Sequence, residues 1–400
     1  MDVLDICKRS LSWAGENNYA GYSKFDALSS PLLKWMSGRS FFLRAGFTFA
    51  LSRMPINLRP VLLVKKNQNP KGLALFARAY FNLFEVTGEK FFKTEGLKLL
   101  DILLGLSRVS QYSGHCWGYD HPWQNSEFFI PAYEPNTVVT CNAASAFMQA
   151  YDITGEEQYL EVCRSAAEFI IADLNYIDVG ENMLCLSYDL HSSWKVINVN
   201  AMASSFMAKL YKITGDARYE RRSQSIMRWV ISQRTPYEAW YYTDPPEASS
   251  ITHDNYHTGF VLDSIFDYLT VFPGTDMKKV YMNALEFYKR ELFLPNWAPK
   301  WMYDRDYPND IHGCAQGVIT FAKASAIDAS YLDCSRDILE WTIRNLYSAS
   351  ESRFYYQKGR LGTKKFTLMR WCQAWMCYAI SLFLRIEADE KDKEKPTFTS

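Results

Sequence analysis

Apolar residues recur along most of this chain at the spacing of one helix face. Two such sets, each at positions i, i+3 or i+4, flank a short polar stretch. They are Ala144, Phe147, Met148 and Tyr151, followed by Leu160, Cys163, Ala167 and Ile170. The stretch between them is TGEE, residues 154–157. The pattern therefore predicts two amphipathic helices joined by a tight turn.

The same turn recurs along the chain at intervals of roughly 60 residues. The clear copies are AYFNLFEVTGEKFF (79–92), AYDITGEEQYL (150–160) and LYKITGDARYE (210–220), and weaker ones are YLTVFPGTDMKKVY (268–281) and AIDASYLD (326–333). In each clear copy, glycine can adopt the left-handed conformation that ends a helix. The acid after it favours the N-terminus of the next helix. The repeat therefore predicts a series of helical hairpins.

Longer segments between the hairpins carry a second repeated pattern, with an aromatic residue or Leu two positions before a Tyr. These segments are CWGYD (116–120), CLSYD (185–189), AWYYTD (239–244), KWMYDRD (300–306) and RFYYQK (353–358). Such alternation is typical of short extended pieces. Tight turns then mark one end of the assembly, and long aromatic loops mark the other.

These patterns predict an all-α fold, an (α/α)6-type toroid of six or seven hairpins in one domain spanning residues 1–387. The hairpin count depends on residues 1–70, where GYSKFDALSSP (21–31) is expected to precede an inner helix. An open helical solenoid is the alternative. The charged residues 388–400 are predicted to be a disordered tail.

Composition narrows the classes of partner and location. The chain has 44 basic and 44 acidic residues, so it shows no overall attraction to nucleic acid or to an anionic membrane. No apolar run is long enough to span a bilayer, because FFLRAGFTFALSRM (41–54) contains two arginines and MCYAISLFL (376–384) is short. Nine cysteines without C-x-x-C pairs and the lack of a signal peptide indicate a cytoplasmic location.

Aromatic residues and histidines point to the loop end as the functional end. Aromatics make up 16% of the chain, including 12 Trp and 26 Tyr, which suits stacking on sugar rings. All six histidines lie in the long loops or at the start of a predicted inner helix: His115, His121, His191, His253, His257 and His312. In HDNYHTGF (253–260), we expect His253 in the loop and His257 in the first helical turn.

Carboxylates accompany the histidines in three loops, 117–129, 241–257 and 301–313. We predict Asp120, Asp244, Asp304 and Asp306 as acid or base residues, with His257 and His312 next. A carboxylate pair would serve glycoside cleavage, whereas a histidine base would serve epimerisation or elimination. Glu127 and Asp310 lie in the same loops, and Asp254 fits a helix N-cap.

The remaining polar and aromatic residues of the loop end are predicted to bind substrate. Arg370 lies among tryptophans at the start of the last inner helix, in a setting that suits an anionic sugar or phosphate group. The predicted set is Trp117, Tyr119, His121, Trp123, Gln124, Tyr188, Asp189, Tyr242, His253, Trp301, Tyr303, Tyr356, Arg370, Trp371 and Gln373.

Other chemistries lack their motifs. The chain contains no G-x-G-x-x-G after a strand, no G-x-x-x-x-G-K-[ST] and no G-x-S-x-G. The spacing of His253 and His257 is that of zinc proteases, but Asp254 stands where those have Glu. No metal site and no cofactor are therefore predicted, although a divalent metal held by loop carboxylates stays open.

With these motifs in view, residues 1–387 resemble the six-hairpin (α/α) barrel superfamily, which holds glycoside hydrolases, polysaccharide lyases and sugar epimerases. WGYDHPWQ (117–124), the TGE and TGD turns and MRWCQAW (369–375) are similar to barrel proteins of exopolysaccharide biosynthesis clusters. The resemblance implies a saccharide or glycan precursor bound at the mouth, and no nucleic acid. It supplies no catalytic residues.

Three functions follow as hypotheses. The first is acid/base cleavage of a glycosidic bond in surface-polysaccharide metabolism, by a glycoside hydrolase-like enzyme. The alternatives are a histidine-based sugar epimerase or lyase, and a non-catalytic glycan-binding toroid. Carboxyl groups facing each other across the mouth would favour cleavage, and facing histidines would favour epimerisation or elimination.

Overall fold

The computed structural model describes residues 2–124 and 129–393. Fourteen α-helices lie in these residues. They are α1 (Val3–Glu16), α2 (Pro31–Ser37), α3 (Phe41–Arg53), α4 (Pro70–Thr87), α5 (Lys90–Gly105), α6 (Thr137–Thr154), α7 (Glu157–Ala172), α8 (Ile197–Thr214), α9 (Ala217–Ser232), α10 (Asn255–Leu269), α11 (Thr275–Glu291), α12 (Ile311–Ala324), α13 (Tyr331–Leu346) and α14 (Trp375–Lys393).

Six helices form a closed inner ring, and six others pack around it. In the ring, α4, α6, α8, α10, α12 and α14 each contact the next, and α14 returns to α4. The outer partners are α5, α7, α9, α11 and α13, while α1 covers α14. The sixth hairpin therefore joins the first helix to the last. The structure confirms the (α/α)6 toroid with six hairpins, and the open solenoid is wrong.

Glycine ends three of the inner helices as the repeat predicts. Gly88, Gly155 and Gly215 follow α4, α6 and α8 with φ of 70°, 69° and 71°, and each N–H closes the last turn. The fourth copy differs, because Gly274 is the N-cap of α11 and not a left-handed helix end. All inner helices consequently run from the long loops to the tight turns, so their N-termini meet at one mouth.

Short β-ladders tie the long loops together at this mouth. The strands are β1 (Ala20–Gly21), β2 (Asn67–Gln68), β3 (Trp123–Gln124), β4 (Phe129–Ile130), β5 (Tyr176–Asp178), β6 (Leu184–Leu186), β7 (Lys195–Val196), β8 (Thr243–Asp244), β9 (Asn309–Asp310), β10 (Tyr347–Ser348), β11 (Arg353–Phe354), β12 (Gln357–Lys358) and β13 (Thr363–Lys364). The pairs β7–β8 and β9–β12 each connect two different loops. The extended pieces expected in the loops are present, and they fix where the loop side chains point.

Residues 22–66, here called the N-terminal lobe, leave the barrel between β1 and β2, which pair with each other. The lobe holds α2 and α3 and has its own small core of Ala27, Leu33, Leu51 and Val64. A buried ion pair between Arg59 and Asp26, at 2.7 Å, also lies in the lobe. The inner helix expected after residues 21–31 is wrong, because α2 packs on α3 and not on the ring. The first inner helix is α4.

The last helix extends beyond the expected end of the barrel. Its residues continue to Lys393, past position 387, and residues 394–400 lie outside the described part of the chain. No helix among the described residues has both the length and the apolar character needed to cross a bilayer. All nine cysteines are buried free thiols.

Candidate active site

A cluster of polar and aromatic side chains, all buried except the half-buried His257, lies on the barrel axis, where the inner helices begin. Each member comes from an inner-helix N-terminus, from a loop leading into one, or from the N-terminal lobe. The principal members are Lys24, Asn69, Lys71, Asp120, His121, Asp254, Tyr256, His257, Asp310, His312, Arg370 and Trp371. Burying so many polar groups is costly unless they are paired, so their contacts indicate their roles.

Asp120 is held by three donors. His121 Nδ1 lies 2.9 Å from its Oδ1, Ser23 Oγ lies 3.4 Å away, and Asn69 also donates to this oxygen. Asn69 meanwhile caps α4 by accepting from the Gly72 N–H. Burial alone would raise the pKa of Asp120, but His121, Asn69 and nearby Arg370 together lower that pKa. Asp120 is therefore a buried carboxylate that stays ionised.

Asp254 and His257 form a carboxylate–imidazole pair at the start of α10. Nδ1 of His257 lies 3.0 Å from one carboxylate oxygen of Asp254 and 2.9 Å from the other. Asp254 is the N-cap residue as predicted, but its side chain makes no capping hydrogen bond. The pairing places the imidazole proton on Nδ1 and leaves Nε2 as the acceptor. A small cavity of about 10 Å³, enough for about one water molecule, adjoins His257 and is also lined by Asn198 and Tyr242.

His312 stands in an aromatic box in the first turn of α12. Tyr256 stacks on its ring at 4.6 Å between centroids, and Trp371 and Trp375 lie at 4.5 and 4.6 Å. Neither ring nitrogen has a hydrogen-bond partner among the described residues. Burial, reinforced by the positive charges of Lys71 and Arg370, lowers the pKa of His312 well below its ordinary value. His312 is therefore a buried neutral imidazole whose two nitrogens make no hydrogen bond to the described residues.

Three basic side chains lie in the axial cluster, namely Lys24, Lys71 and Arg370. Lys24 Nζ lies 4.1 Å from the centroid of Trp371 and 3.9 Å from Asp310 Oδ2. Lys71 Nζ lies about 5 Å from the rings of Phe260 and Trp375, and forms no ion pair with a described residue. Burial lowers the pKa of Lys24 and lowers that of Lys71 further.

Arg370 enters the site from a π-helical turn, Met369–Ala374, that leads into α14. Its guanidinium lies 5.0 Å from the ring of Tyr119 and 5.3 Å from that of Trp371, and its Nε has no partner among the described residues. The π-turn is a local irregularity of the kind often found at functional sites. Arg370 is therefore a buried donor aimed at the cluster.

Asp310 is already fully engaged. Its Oδ1 caps α12 by accepting from the His312 N–H and also accepts from Trp371 Nε1 at 2.7 Å. Its Oδ2 accepts from Gln357 at 2.6 Å. Asp310 consequently orients Trp371 and Lys24, and neither of its carboxylate oxygens is left without a partner.

Many of the predicted residues do meet at the axis. Tyr119 and Tyr188 share a hydroxyl contact of 3.4 Å, and Tyr242 lies 4.4 Å from the His257 ring. Trp301 and Tyr356 both face the Lys24 ammonium. Of the predicted set, the structure brings together Asp120, His121, His257, His312, Tyr119, Tyr188, Tyr242, Trp301, Tyr356, Arg370 and Trp371.

The structure places the other predicted acids away from the axis. Asp304 and Asp306 are exposed and lie near Arg305 and Lys300 of their own loop. Asp244 pairs with Lys195 at 2.8 Å across the β7–β8 ladder. These positions correct the expectation that Asp244, Asp304 and Asp306 turn into the mouth, whereas Asp310 of the 301–313 loop does reach the cluster. Glu127 lies outside the described residues.

Several residues predicted to bind substrate have structural contacts instead. Trp117 is fully buried between α5 and α6 and donates to the Leu103 carbonyl, while the Asp189 carboxylate accepts two loop N–H groups. His253 bonds Trp240 and Tyr237, with Tyr303 against its ring. Gln373 binds the backbone of Ser10, Ser352 and Phe354. Trp123 and Gln124 form β3, which packs on α3 of the lobe.

Sequence reasoning missed Lys24, Lys71 and Tyr256. Tyr256 stands beside His257, and Lys71 lies in the first turn of an inner helix, so both positions carried a usable signal. Lys24 reaches the site from a segment that precedes α4 by more than 40 residues, which no local pattern indicates. Among the described residues, no three His, Cys, Asp or Glu side chains gather in a way that could hold a metal ion.

The backbone is similar to those of solved saccharide enzymes. Cellobiose 2-epimerase from Bacillus thermoamylovorans superposes with a TM-score of 0.65 at 12% identity, over 82% of this chain and 90% of that one. This chain is a six-hairpin (α/α) barrel. A heparin-specific unsaturated glucuronyl hydrolase gives 0.60 at 13% identity, covering 82% and 89%. The GH76 α-mannanase BT2949 from Bacteroides thetaiotaomicron gives 0.60 at 14%, covering 81% and 87%.

At the level of sequence, the barrel matches no protein-family model and no curated protein. The likeness to solved barrels thus lies in the fold, and the chemistry must be argued from the axial cluster itself.

Proposed function

We propose that this barrel is a saccharide-active enzyme in which His257 and His312 move protons, as a sugar epimerase or isomerase would require. One observation carries the proposal: both imidazoles contact the ring of Tyr256, at 4.3 and 4.6 Å between centroids. They come from the first turns of adjacent inner helices. Two histidines at a buried polar site form the arrangement that favours epimerisation over hydrolysis.

The two histidines would have different roles. His312 is neutral and unpartnered, so it can accept a proton from a carbon next to a sugar carbonyl. His257, with its Nδ1 proton held by Asp254, can return a proton through Nε2 when it is charged. The electron pair left on the substrate passes into the carbonyl oxygen as an enediolate. Lys71 and Arg370 supply positive charge for that oxygen.

Substrate would have to displace Lys24. The ammonium of this residue covers the faces of Trp371 and Trp301, which are the surfaces on which a sugar ring would stack. Arg59 of the lobe donates to the Ser23 and Lys24 carbonyls, so residues 23–26 form one unit over the mouth. The proposal therefore requires this unit to move when a sugar binds.

Glycosidic cleavage is the second candidate. Asp120 supports it, because this carboxylate is buried on the axis and remains ionised, as an electrostatic stabiliser or nucleophile would be. The exposure of Asp304 and Asp306 weighs against the pairing first predicted. Two of the structurally similar barrels are hydrolases, but their similarity to this chain is one of fold and does not carry over their activity.

Mass spectrometry in D2O separates these outcomes. The purified protein would be incubated with glucose, mannose, N-acetylhexosamines, cellobiose and short mannan fragments. Proton transfer to carbon adds one deuterium without any other change in mass, hydrolysis adds water, and elimination leaves an unsaturated sugar. Incorporated deuterium supports the proposal, and addition of water contradicts it. Binding of a sugar without turnover would indicate a glycan-binding toroid.

Matched variants then assign the histidines. We expect His257→Gln and His312→Gln each to lower the exchange rate by about 10²- to 10⁴-fold. His191→Gln is the control, because His191 is exposed and contacts Glu134. Equal loss in the control would contradict the assignment. A role in surface-polysaccharide metabolism and a cytoplasmic location stay predictions from the sequence.

A further inference from the structure

The N-terminal lobe exposes an unusually large apolar face. Ten large apolar side chains between residues 32 and 63 are at least 37% exposed, against six in the rest of the described chain. The most exposed are Phe42 at 82%, Trp35 at 80% and Val61 at 77%. A contiguous segment with so many exposed apolar groups marks an interaction surface.

The orientation of α3 shows that these side chains are exposed because they lie on its outer face, and not because the core of the lobe is loosely packed. The residues that α3 buries are Thr48, Leu51 and Ser52, two of which are polar. Its outward residues include Phe41, Phe42, Leu43 and Phe49. A helix adapted to water would have the opposite arrangement. The outer face of α3 is therefore suited to an apolar environment more than to water.

The charged side chains of residues 27–66 are all of one sign. From residue 27 to residue 84 the sequence contains no Asp or Glu, whereas residues 27–66 contain seven Lys and Arg. Arg59 is buried with Asp26, which leaves Lys34, Arg39, Arg44, Arg53, Lys65 and Lys66. Within the described part of the chain, none of these six forms an ion pair. The face therefore combines apolar aromatic groups with uncompensated positive charge.

We propose that the N-terminal lobe binds the surface of a lipid bilayer that carries anionic headgroups. Aromatic and aliphatic side chains enter the boundary between headgroups and acyl chains, and the surrounding Lys and Arg side chains contact lipid phosphates. Helix α3, with 13 residues, is too short to cross the bilayer and long enough to lie in the interface. The attachment is peripheral, and it is independent of the reaction proposed above.

Charge complementarity favours a bilayer over a second copy of this chain. A two-fold contact would place this basic face against itself, where like charges meet and residues 27–66 supply no carboxylate between them. An anionic headgroup layer neutralises the same charges. The net charge of zero for the whole chain conceals this local excess.

The location of the lobe gives the attachment a consequence for the barrel. Helix α3 packs against β3 at the mouth, and the Arg44 guanidinium lies 4.4 Å from the Phe129 ring. The lobe also carries Lys24 over the axial cluster. Binding through the lobe therefore places the mouth next to the membrane.

Vesicle sedimentation tests the proposal with the full-length protein. Vesicles of phosphatidylcholine containing about one third phosphatidylglycerol are compared with pure phosphatidylcholine, at low salt and at high salt. We expect at least about tenfold more protein to sediment with the anionic vesicles, and added salt to reduce that fraction. Protein that stays in the supernatant, or that binds both lipids equally, overturns the proposal.

Variants identify the surface. Lys65→Glu with Lys66→Glu, and Trp35→Ser with Phe42→Ser, should each lower binding at least about tenfold. Matched controls on the barrel are Lys278→Glu with Lys279→Glu for charge, and Phe91→Ser for exposed apolar area. Equal loss in the controls contradicts a lobe-specific site.

Light scattering without lipid tests the alternative that a second copy of this chain covers the apolar face. A dimer that Trp35→Ser with Phe42→Ser dissociates would show that a second copy covers the face, and the proposal would be wrong. A monomer that sediments with anionic vesicles supports it. Circular dichroism checks that the surface variants keep the helical fold.

Discussion

His257 and Asp254 are joined at the first turn of α10, with the imidazole Nδ1 2.9–3.0 Å from both carboxylate oxygens. The contact orients the ring and determines which nitrogen faces the cavity beside Tyr242. The carboxylate also stabilises the imidazolium that forms when His257 takes up a proton. Asp254 therefore acts on the proposed reaction through His257.

Replacing Asp254 by Asn tests this positioning role. We expect Asp254→Asn to lower kcat by about 10²-fold with little effect on KM, because a neutral amide neither fixes the tautomer nor stabilises the imidazolium. Because His257 must be charged to return a proton, the high-pH limb of the pH–rate profile should move to lower pH in the variant. A change confined to KM, or an unshifted high-pH limb, would contradict the role of Asp254.

The buried His312 should make the fold sensitive to acid. Its pKa in the folded protein lies well below the ordinary 6.5, so the unfolded chain takes up this proton first as the pH falls. The free energy of unfolding should then decrease by about 1.4 kcal/mol per pH unit below pH 6.5, until His312 becomes protonated in the folded state.

Urea denaturation at a series of pH values measures this effect in wild type and His312→Gln. The variant should lose that part of the slope. Any general loss of packing shifts the whole curve and leaves its slope unchanged. If both proteins show the same slope below pH 6.5, the neutral state of His312 is wrong.

We expect the buried Lys71 side chain to lower the free energy of unfolding and to be needed for the proposed reaction. The pKa of Lys71 in the folded protein is well below 10.5, so between that pKa and 10.5 the unfolded chain binds one proton more than the folded chain. The free energy of unfolding therefore rises with pH across this range. We expect Lys71→Met to raise the free energy of unfolding at neutral pH by about 1–4 kcal/mol and to remove this part of the rise. The variant should also lose sugar turnover.

The matched control is Lys65→Met, since Lys65 is exposed on the lobe. This substitution should change the free energy of unfolding by less than about 0.5 kcal/mol and leave turnover intact. A Lys71→Met protein that is less stable than wild type would show that the ammonium has a stabilising partner.

Gly114 lies where the first long loop crosses α7. A Cβ built there would stand 1.7 Å from the Ser165 carbonyl oxygen, which belongs to a helix backbone and cannot move aside. We expect Gly114→Ala to lower the free energy of unfolding by about 3 kcal/mol. Gly105 at the end of α5 has no atom within 4 Å of its Cβ position, so Gly105→Ala should be neutral or slightly stabilising. Thermal denaturation of both variants compares them.

The sequence predicted the barrel because its turns are local signals. Each Thr-Gly-acid motif determines one left-handed helix end, and the periodic apolar residues beside it determine two helix faces. The lobe could not be predicted in this way. The sequence of α3 is as apolar as that of an inner helix, yet its apolar side chains face outward. The pairing of α1 with α14 joins residues at opposite ends of the sequence, and periodicity carries no information about such contacts.

The sequence predicted about half of the side chains that meet at the mouth, and their role as an active site stays a prediction. The mouth was found because long loops and inner-helix N-termini must meet there, and His257 and His312 follow from that geometry. Loop acids were misplaced because the direction of a loop side chain depends on ladders such as β7–β8, which the sequence does not reveal. Lys24 and Lys71 were missed because a buried lysine contradicts the usual preference of this residue for water.

Gln373 holds the two ends of the chain together, donating to the Ser10 and Ser352 carbonyls from the turn that leads into α14. Because Arg370 and Trp371 belong to that same turn, the pocket lacks two of its walls until the last helix is synthesised. During translation, α4 and α12 each keep one open flank until α14, which follows the other five ring helices in chain order, has been made. The axial cluster is therefore assembled only after the other five helices of the inner ring are in place.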